Sequence, residues 1–339
     1  MTVLIITHSN DNGSILKVMS AIHDQGGKTF RFNTDQFPTA LKLELSCNNR
    51  VKGGILTTDQ GTLDLSTVSS VWYRRFRIGQ NLPSKMEPQL RNASIQEARR
   101  TIQGMLASLD VFHLDPVVNI RRAEHKQLQL QVAHEVGLEI PDTLITNDPA
   151  TVRKFSQTYE QGVISKMMTS FAVHEDGKEK VVFTNPLSSQ DLEELEGLQF
   201  CPMTFQENIP KALELRVTVV GKTVFAAAID SQRLEKSRAD WRREGVTLLN
   251  DWTPYALPME IKEKLLALME RLHLNYGAID IILTPDNKYV FLEVNPCGEF
   301  FWLDLLPKLS ISQAIAQLLY APPNKPHQSL SNHLVDALV

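Results

Sequence analysis

Cysteine is scarce in this sequence: Cys47, Cys201 and Cys297 are odd in number and far apart, which fits neither a disulfide framework nor a zinc site. No apolar run reaches membrane-spanning length. Met1–Thr7 leads straight into the polar stretch Ser9–Ser14, which lacks the form of a signal peptide, so a soluble cytoplasmic protein is expected, with no membrane partner. The first strand is not followed by the glycine fingerprint of a dinucleotide site. Internal repeats and low-complexity tracts are missing too. Nor is there an excess of positive charge: a formal net charge of −4 argues against a general nucleic-acid binder. What is present is a chain of 339 residues, long enough for two or three domains and a substantial core.

The stretch richest in chemistry runs from Gly277 to Asp304, GAIDIILTPDNKYVFLEVNPCGEFFWLD. It reads as a hairpin of strands Ala278–Leu283 and Tyr289–Val294 around a Pro-Asp-Asn loop. With Pro285 to Lys288 as the loop, Leu283 faces Val290, Asp280 falls across from Glu293, and Asn295 shares their face. Two opposed carboxylates repel unless a cation lies between them. An oxygen-only set of this kind suits magnesium shared with nucleotide phosphates. The bland alternative is a pair of acids on a solvated face. It is the weaker reading, because Ile279, Ile281, Phe291, Leu292 and Val294 describe a buried sheet in which unpaired carboxylates are costly.

Along the chain, strand Val3–Thr7, a helix carrying Ile15, Val18, Met19 and Ile22, and strand Thr29–Phe32 open as a parallel strand–helix–strand unit. Small strands follow near Leu41–Leu45, Gly54–Thr57 and Thr62–Leu65. Strand Val71–Arg75 ends in Arg74 and Arg75, which suit either a solvated rim or a carboxylate or phosphate. Helix Glu87–Leu109 precedes a break at His113–Pro116, and a helix over Arg121–Val136 bears Lys126 in its first turns. Strand Gly162–Met168 carries Lys166, whose ammonium must reach solvent or an anion, and Val181–Thr184 is expected to return as its partner. The acidic helix Ser188–Gly197 is either a solvated face or the receiver of a partner's basic residue. An apolar strand Phe200–Phe205 runs into Gln206-Glu207-Asn208-Ile209-Pro210, where the proline marks a hinge. Hairpin Leu213–Val220 and Thr223–Ile229 carries Glu214 and Arg216, and the charged loop Ser231–Gly245 offers Arg233, Arg242 and Arg243. Helices Pro258–Leu272 and Ser310–Tyr320 complete the pattern before a proline-bearing tail from Ala321.

Lys126, Lys166, QENI at Gln206–Ile209, ELRV at Glu214–Val217, GAID at Gly277–Asp280 and FLEVNP at Phe291–Pro296, in this order, resemble the ATP-grasp carboxylate ligases. More narrowly, FRFNTDQFPT, SVWYRR, HLDP, HKQLQLQVA, LQFCPMTFQENIPKALELRV, DWRREG and NPCGEFFWLD resemble the ATP-grasp macrocyclases of microviridin-type ribosomal peptides, in wording closer to the ester-forming (lactone) than to the amide-forming (lactam) enzyme. The resemblance covers nearly the whole chain. It implies an α/β (α+β) ATP-grasp fold: a parallel-sheet domain over 1–116, a central lid and leader-recognition domain over 117–205 and an ATP-grasp domain over 206–321; the proline-bearing loose tail over 322–339 departs from the family's motif pattern.

The same resemblance implies ATP and Mg2+ as cofactors and a ribosomal precursor peptide with a helical leader as partner, in a possible homodimer. Lys126 and Lys166 would reach phosphates, Gln206, Glu207, Asn208 and Ile209 the adenine edge, and Glu214 the ribose. Asp280, Glu293 and Asn295 would bind magnesium, while Arg216, Lys166, Arg242 and Arg243 would neutralise the reacting phosphoryl group. Asp191 or Glu194 would pair with a leader arginine, and Arg74 and Arg75 with peptide carboxylate. Glu299 and Asp304 are weak candidates for a base, and Cys297 receives no redox role. The rival readings are a lactam-forming companion, a ligase for free amino acids or small amines, and a nucleotide-regulated peptide carrier without chemistry.

Overall fold

The computed structural model describes residues 1–47, 52–167, 172–175, 178–181, 184–233 and 249–323. Its first sheet is parallel, in the order Lys28–Asn33, Thr2–Thr7, Val68–Tyr73, Phe112–Leu114. Alternation along Thr2–Thr7 sends Val3 and Ile5 into one core and Leu4 and Ile6 into another, so the sheet is buried on both faces as parallel sheets are. The helix Ser14–Asp24 buries Ile15, Val18 and Ile22 and stops where Gly26 adopts φ +80°, which a residue with a Cβ rarely tolerates. Strand Val68–Tyr73 ends one residue before the two arginines, placing them beyond the carboxyl end of the sheet. A three-stranded antiparallel sheet, Lys42–Cys47, Lys52–Thr58 and Gly61–Asp64, adds Leu56 and Leu63 to the core that also holds Ile102 and Met105 of the long helix Pro88–Ser108.

The single helix expected over Arg121–Val136 is two, Val117–Ala123 and Lys126–Glu135. His125 between them is extended (φ −72°, ψ 109°), and the Gln129 side chain takes up the Ala123 carbonyl left by the break. The second helix packs its Leu130, Val132 and Ala133 in the core of the C-terminal sheet.

The central sheet is antiparallel, in the order Asn185–Pro186, Val163–Lys166, Met203–Glu207, Thr143–Thr146. Two expectations change here. The strand carrying Lys166 lies between Met203–Glu207, where Lys166 faces Thr204, and a returning partner at Asn185–Pro186; Val181, expected in that partner, pairs with Ala172 instead. The strand expected from Phe200 begins at Met203, and Phe200 sits on a 3-10 turn with 83% of its surface exposed. Strand Thr143–Thr146 and helix Pro149–Ser156 complete this layer; Asp148 caps that helix and Pro149 starts it, the Asp-Pro pair being a helix-start signal in the sequence.

The C-terminal sheet has five antiparallel strands, Thr253–Pro254, Thr223–Ile229, Leu213–Val220, Tyr276–Leu283 and Tyr289–Asn295. Leu215, Val217, Val219, Ile279 and Ile281 face a core shared with helix Met259–Arg271. Alternation then puts Glu214, Arg216 and Asp280 on the opposite face. The last helix, Ile311–Tyr320, packs with Val220, Tyr276 and the first helix in one core, joining this sheet to the parallel one.

The expected hairpin exists, with a different turn. Thr284 N donates to Lys288 O at 3.0 Å, so the loop is the three residues Pro285, Asp286 and Asn287, the last at φ +64°. Leu283 therefore faces Tyr289, not Val290. The ladder slips by one residue at Leu292, and this bulge restores Asp280 opposite Glu293.

Candidate active site

Register builds the site. Arg216 lies opposite Asp280 and Asp280 opposite Glu293, so one row across three strands reads cation, anion, anion. The next row places Asn295 opposite Ala278. Arg216 Nη1 donates to Asp280 Oδ1 at 2.7 Å, and Lys126 Nζ lies 2.7 Å from Glu293 Oε2. Asn295 Nδ2 donates to Glu293 Oε1 at 3.1 Å. Each carboxylate thus has its own cation, which removes the repulsion that two opposed acids would feel. Arg216 is buried and also donates from Nη2 to the Glu299 carbonyl at 3.0 Å, with its guanidinium 5.7 Å from the Trp302 ring centroid.

The donor set fits magnesium. Two carboxylates and a side-chain amide present oxygen only, and among the described residues no group of three or more His, Cys, Asp or Glu forms an all-protein cage. Mg2+ is normally held through one or two carboxylates together with substrate phosphates and water, which such a pair can provide.

Other expected site residues lie on adjoining elements. Glu214 shares the face of Arg216, two residues away; its carboxylate is 3.0 Å from Lys211 Nζ and accepts from Ser231 Oγ at 2.6 Å. Gln206 and Glu207 end the central strand, and Asn208 and Ile209 follow it. Glu207 exchanges backbone and side-chain bonds with Asp142: its N–H donates to Asp142 O at 3.1 Å and its Oε1 accepts from Asp142 N at 3.0 Å. Gln206 is buried, donates to Thr143 Oγ1 at 2.9 Å, and has no partner for Oε1 among the described residues. Asn208 is anchored through its N–H to Gly162 O at 3.0 Å. Lys166 stands on the same central sheet. Arg242 and Arg243 lie outside the described residues.

Arg74 is a correction. It is 2% exposed, donates to Glu299 Oε2 at 2.5 Å and to the Cys297 carbonyl at 2.6 Å, and so has no face for a peptide carboxylate. Arg75 keeps 36% of its side chain exposed while contacting Glu299 at 3.0 Å and Asp11 at 3.2 Å. Asp191 accepts from Ser188 N at 2.7 Å in a capping box, which commits it to its own helix, whereas Glu194 is exposed and accepts from Gln190. Glu299 is a poor base. Burial works to raise its pKa, but Arg74, the Phe301 and Phe300 amides and Asn12 together hold it below the ordinary carboxylate value. Asp304 caps the last helix by accepting from Ile311 N and Ser312 N. Burial pushes the Cys297 thiol up to about 12, leaving it protonated.

Residues not singled out from sequence also shape the site. Gly298 sits so close to it that a Cβ would lie 2.4 Å from Ala278 Cβ and 3.0 Å from both Arg216 Nη2 and Asn295 Cβ. Asp115 accepts from Asn275 N, Asn275 Nδ2 and Tyr276 N at 2.8–3.0 Å, tying the first sheet to the strand that carries Asp280. These partners are about 160 positions apart, beyond any local pattern.

The family model of the MvdD pre-ATP grasp domain matches residues 2–121. Macrocyclase MdnC of Microcystis aeruginosa MRC, solved with precursor peptide MdnA, is 52% identical, with 94% of this chain and 99% of that chain covered and a TM-score of 0.86. A RiPP-associated ATP-grasp ligase of Chryseobacterium gregarium, in complex with ADP and a leader and core peptide, is 42% identical over 94% and 96% of the two chains, with a TM-score of 0.90. Macrocyclase MdnB of M. aeruginosa MRC is 38% identical over 94% and 98%, with a TM-score of 0.79. No curated protein gives a significant match. With this identity over almost the full length of both chains, and with the arginine and the two acids of the site in one row that a helix lysine meets at Glu293, the chain belongs to the ATP-grasp peptide macrocyclases of the microviridin family, which are ATP-dependent carboxylate ligases.

Proposed function

We propose that the chain phosphorylates Asp or Glu side chains of a ribosomal precursor peptide with ATP and closes rings on Thr or Ser hydroxyls as ω-esters. The observation that carries this reading is the row Arg216–Asp280–Glu293 with Lys126 at its end. A peptide carboxylate oxygen attacks the γ-phosphorus and ADP leaves. A hydroxyl oxygen of the same peptide then attacks the acyl carbon; phosphate departs with the bonding pair and the proton passes to phosphate or solvent. Both reactants belong to one peptide, so orientation supplies much of the rate.

Asp280, Glu293 and Asn295 would hold Mg2+, which when bound neutralises charge on the transferring phosphoryl group. Lys126 and Lys166 take phosphate oxygens, Gln206, Glu207, Asn208 and Ile209 the adenine edge, and Glu214 the ribose. Arg216, beside Asp280, neutralises charge at the reacting centre. Lys126, released from Glu293, would meet phosphate, and the freed Glu293 carboxylate would be open to Mg2+. Charge balance therefore holds before and after loading. The domains divide as 1–116, 117–205, 206–321 and a tail, and a helical leader docks on the central part, with Glu194 as the acid available to a leader arginine. The peptide and ADP in the structures of the MdnC and Chryseobacterium proteins support this reading. No helix among the described residues is long and apolar enough to cross a membrane, which is compatible with a cytoplasmic site of action.

Mass spectrometry of a precursor peptide incubated with the protein, ATP and Mg2+ tests the proposal, with Asp280→Ala as control. Loss of one or more waters, reversed by mild base and missing in the control, is expected. Loss that resists base would make the rings amides. No mass change, with ADP formed from small acids and amines, would replace the reading by a small-molecule ligase.

A further inference from the structure

Gln129 is fully buried on helix Lys126–Glu135, one turn after Lys126. Its side chain does for Val294 what a neighbouring strand would do. Oε1 accepts from Val294 N at 2.9 Å, Nε2 donates to Val294 O at 2.8 Å, and Nε2 also donates to Ala123 O at 2.5 Å. Tyr289–Asn295 is an edge strand, so its outward N–H and C=O groups have no ladder to join. Phe291 N solves the same problem by donating to Glu139 O at 2.8 Å. A primary amide presents a donor and an acceptor side by side, which is what the outward pair on a single strand residue requires.

The residue held in this way matters because of its neighbours. Glu293 and Asn295 flank Val294, and their side chains project to the face opposite its own. Fixing the backbone at Val294 therefore sets the height and tilt of both. The bulge at Leu292 interrupts the ladder immediately before Glu293, where the neighbouring strand restrains the chain least. From the same helical turn Lys126 Nζ reaches Glu293 Oε2 at 2.7 Å. One helix thus grips this short stretch both by its backbone and by a carboxylate.

We propose that Gln129 is a positioning residue for the metal–nucleotide complex: it aligns Glu293 and Asn295 and locks the lysine-bearing helix to them. The inference rests on the assignment of Glu293 and Asn295 as metal ligands made above. Outer partners that orient metal ligands are worth about 10–100-fold in metal affinity. Gln129 acts through the backbone between two ligands, so the lower end, about tenfold, is expected.

The test is calorimetric titration of ADP with and without Mg2+ for the wild type, Gln129→Met, Gln129→Asn and Leu130→Ala, each with its melting temperature. Leu130→Ala loosens the same core but keeps the Gln129 amide that bonds the Val294 backbone. Gln129→Asn keeps the amide but is a methylene too short to hold both Val294 groups. Metal-free ADP affinity is expected to stay within twofold in all four proteins, and the gain on adding Mg2+ to fall about tenfold in both Gln129 variants but not in Leu130→Ala. Equal gain in all proteins, at whatever melting temperature, overturns the inference and leaves Gln129 a filler of the helix break. If Gln129→Met does not fold, Gln129→Asn against Leu130→Ala decides alone. Wild-type binding of ADP with no gain from Mg2+ would overturn the metal assignment itself, and this inference with it.

Discussion

Replacing Glu299 by Gln separates a clamp from a base. The Glu299 carboxylate accepts from Arg74 Nη2 at 2.5 Å, Arg75 Nη2 at 3.0 Å and Asn12 Nδ2 at 2.5 Å through Oε2, and from Phe300 N and Phe301 N at 2.9 Å through Oε1. All five partners are donors, so an amide at this position turns its own N–H groups against donors in either orientation. Removing one member of a buried ion pair costs about 3–5 kcal/mol. Glu299 is 25% exposed and Arg74 keeps its bonds to the Cys297 and Gly298 carbonyls, so about 2–3 kcal/mol is expected. In a chain of this size that lowers Tm by roughly 3–4 °C. The pKa of Glu299 in the folded protein lies below its ordinary value of 4.5, so its stabilisation is present above that value and disappears as pH falls through the folded pKa. Scanning calorimetry should show a Tm gap between wild type and Glu299→Gln at pH 7 that closes as pH falls below the ordinary value of 4.5 and through the lower folded pKa. An unchanged Tm at pH 7, with ring closure abolished while ADP binding persists, would refute the clamp and make Glu299 the base.

Gly298→Ala should lower kcat about 100-fold, because its Cβ cannot fit without moving Arg216 and Asn295. Gly104→Ala, whose Cβ meets nothing within 4 Å, should leave kcat unchanged; equal rates for both variants would show that the close approach is immaterial. Burial raises the Asp115 pKa to about 6 against the pull of the Asn275 and Tyr276 donors, so its contribution to stability is complete below its ordinary value of 3.8 and is lost as pH rises through 6. The stability advantage of wild type over Asp115→Asn should therefore shrink between pH 4 and pH 7, by about 3 kcal/mol at most, and a Tm gap that widens instead would contradict this. Lys126→Met should weaken Mg·ADP binding about 10–100-fold, the worth of a charged hydrogen bond, and Lys126→Arg should restore only part of it; calorimetry that finds full affinity in the Met variant removes Lys126 from the phosphate site.

The hairpin shows what was legible and why. Alternation of apolar and polar residues marked both strands, and the carboxylates on a shared face pointed to their pairing. The register near the turn was not legible. A four-residue loop was expected, but Asn287 takes the left-handed conformation and closes a loop of three, which shifts the pairing by one. The bulge at Leu292 shifts it back before the acids are reached. Asp280 and Glu293 thus met as expected through two departures that cancel, and neither can be read from side-chain periodicity.

What sequence order conceals more deeply is which ion finds which. Arg74 and Arg75 are neighbours with the same charge, and a strand-end position made both available to a ligand. The fold instead brings Glu299 over from 225 positions away, buries Arg74 beside it, and leaves Arg75 at the surface. Burial decides their roles, because a buried guanidinium must be neutralised within the protein, whereas an exposed one can exchange its partner for a substrate. The same reasoning applies to the row Arg216–Asp280–Glu293. Its cations already have partners in this structure, so a phosphate gains access to them only if something cationic replaces them at the carboxylates. A nucleotide brought in with Mg2+ would meet both needs at once, so under the proposed function a nucleotide–metal complex would suit this site better than either component alone.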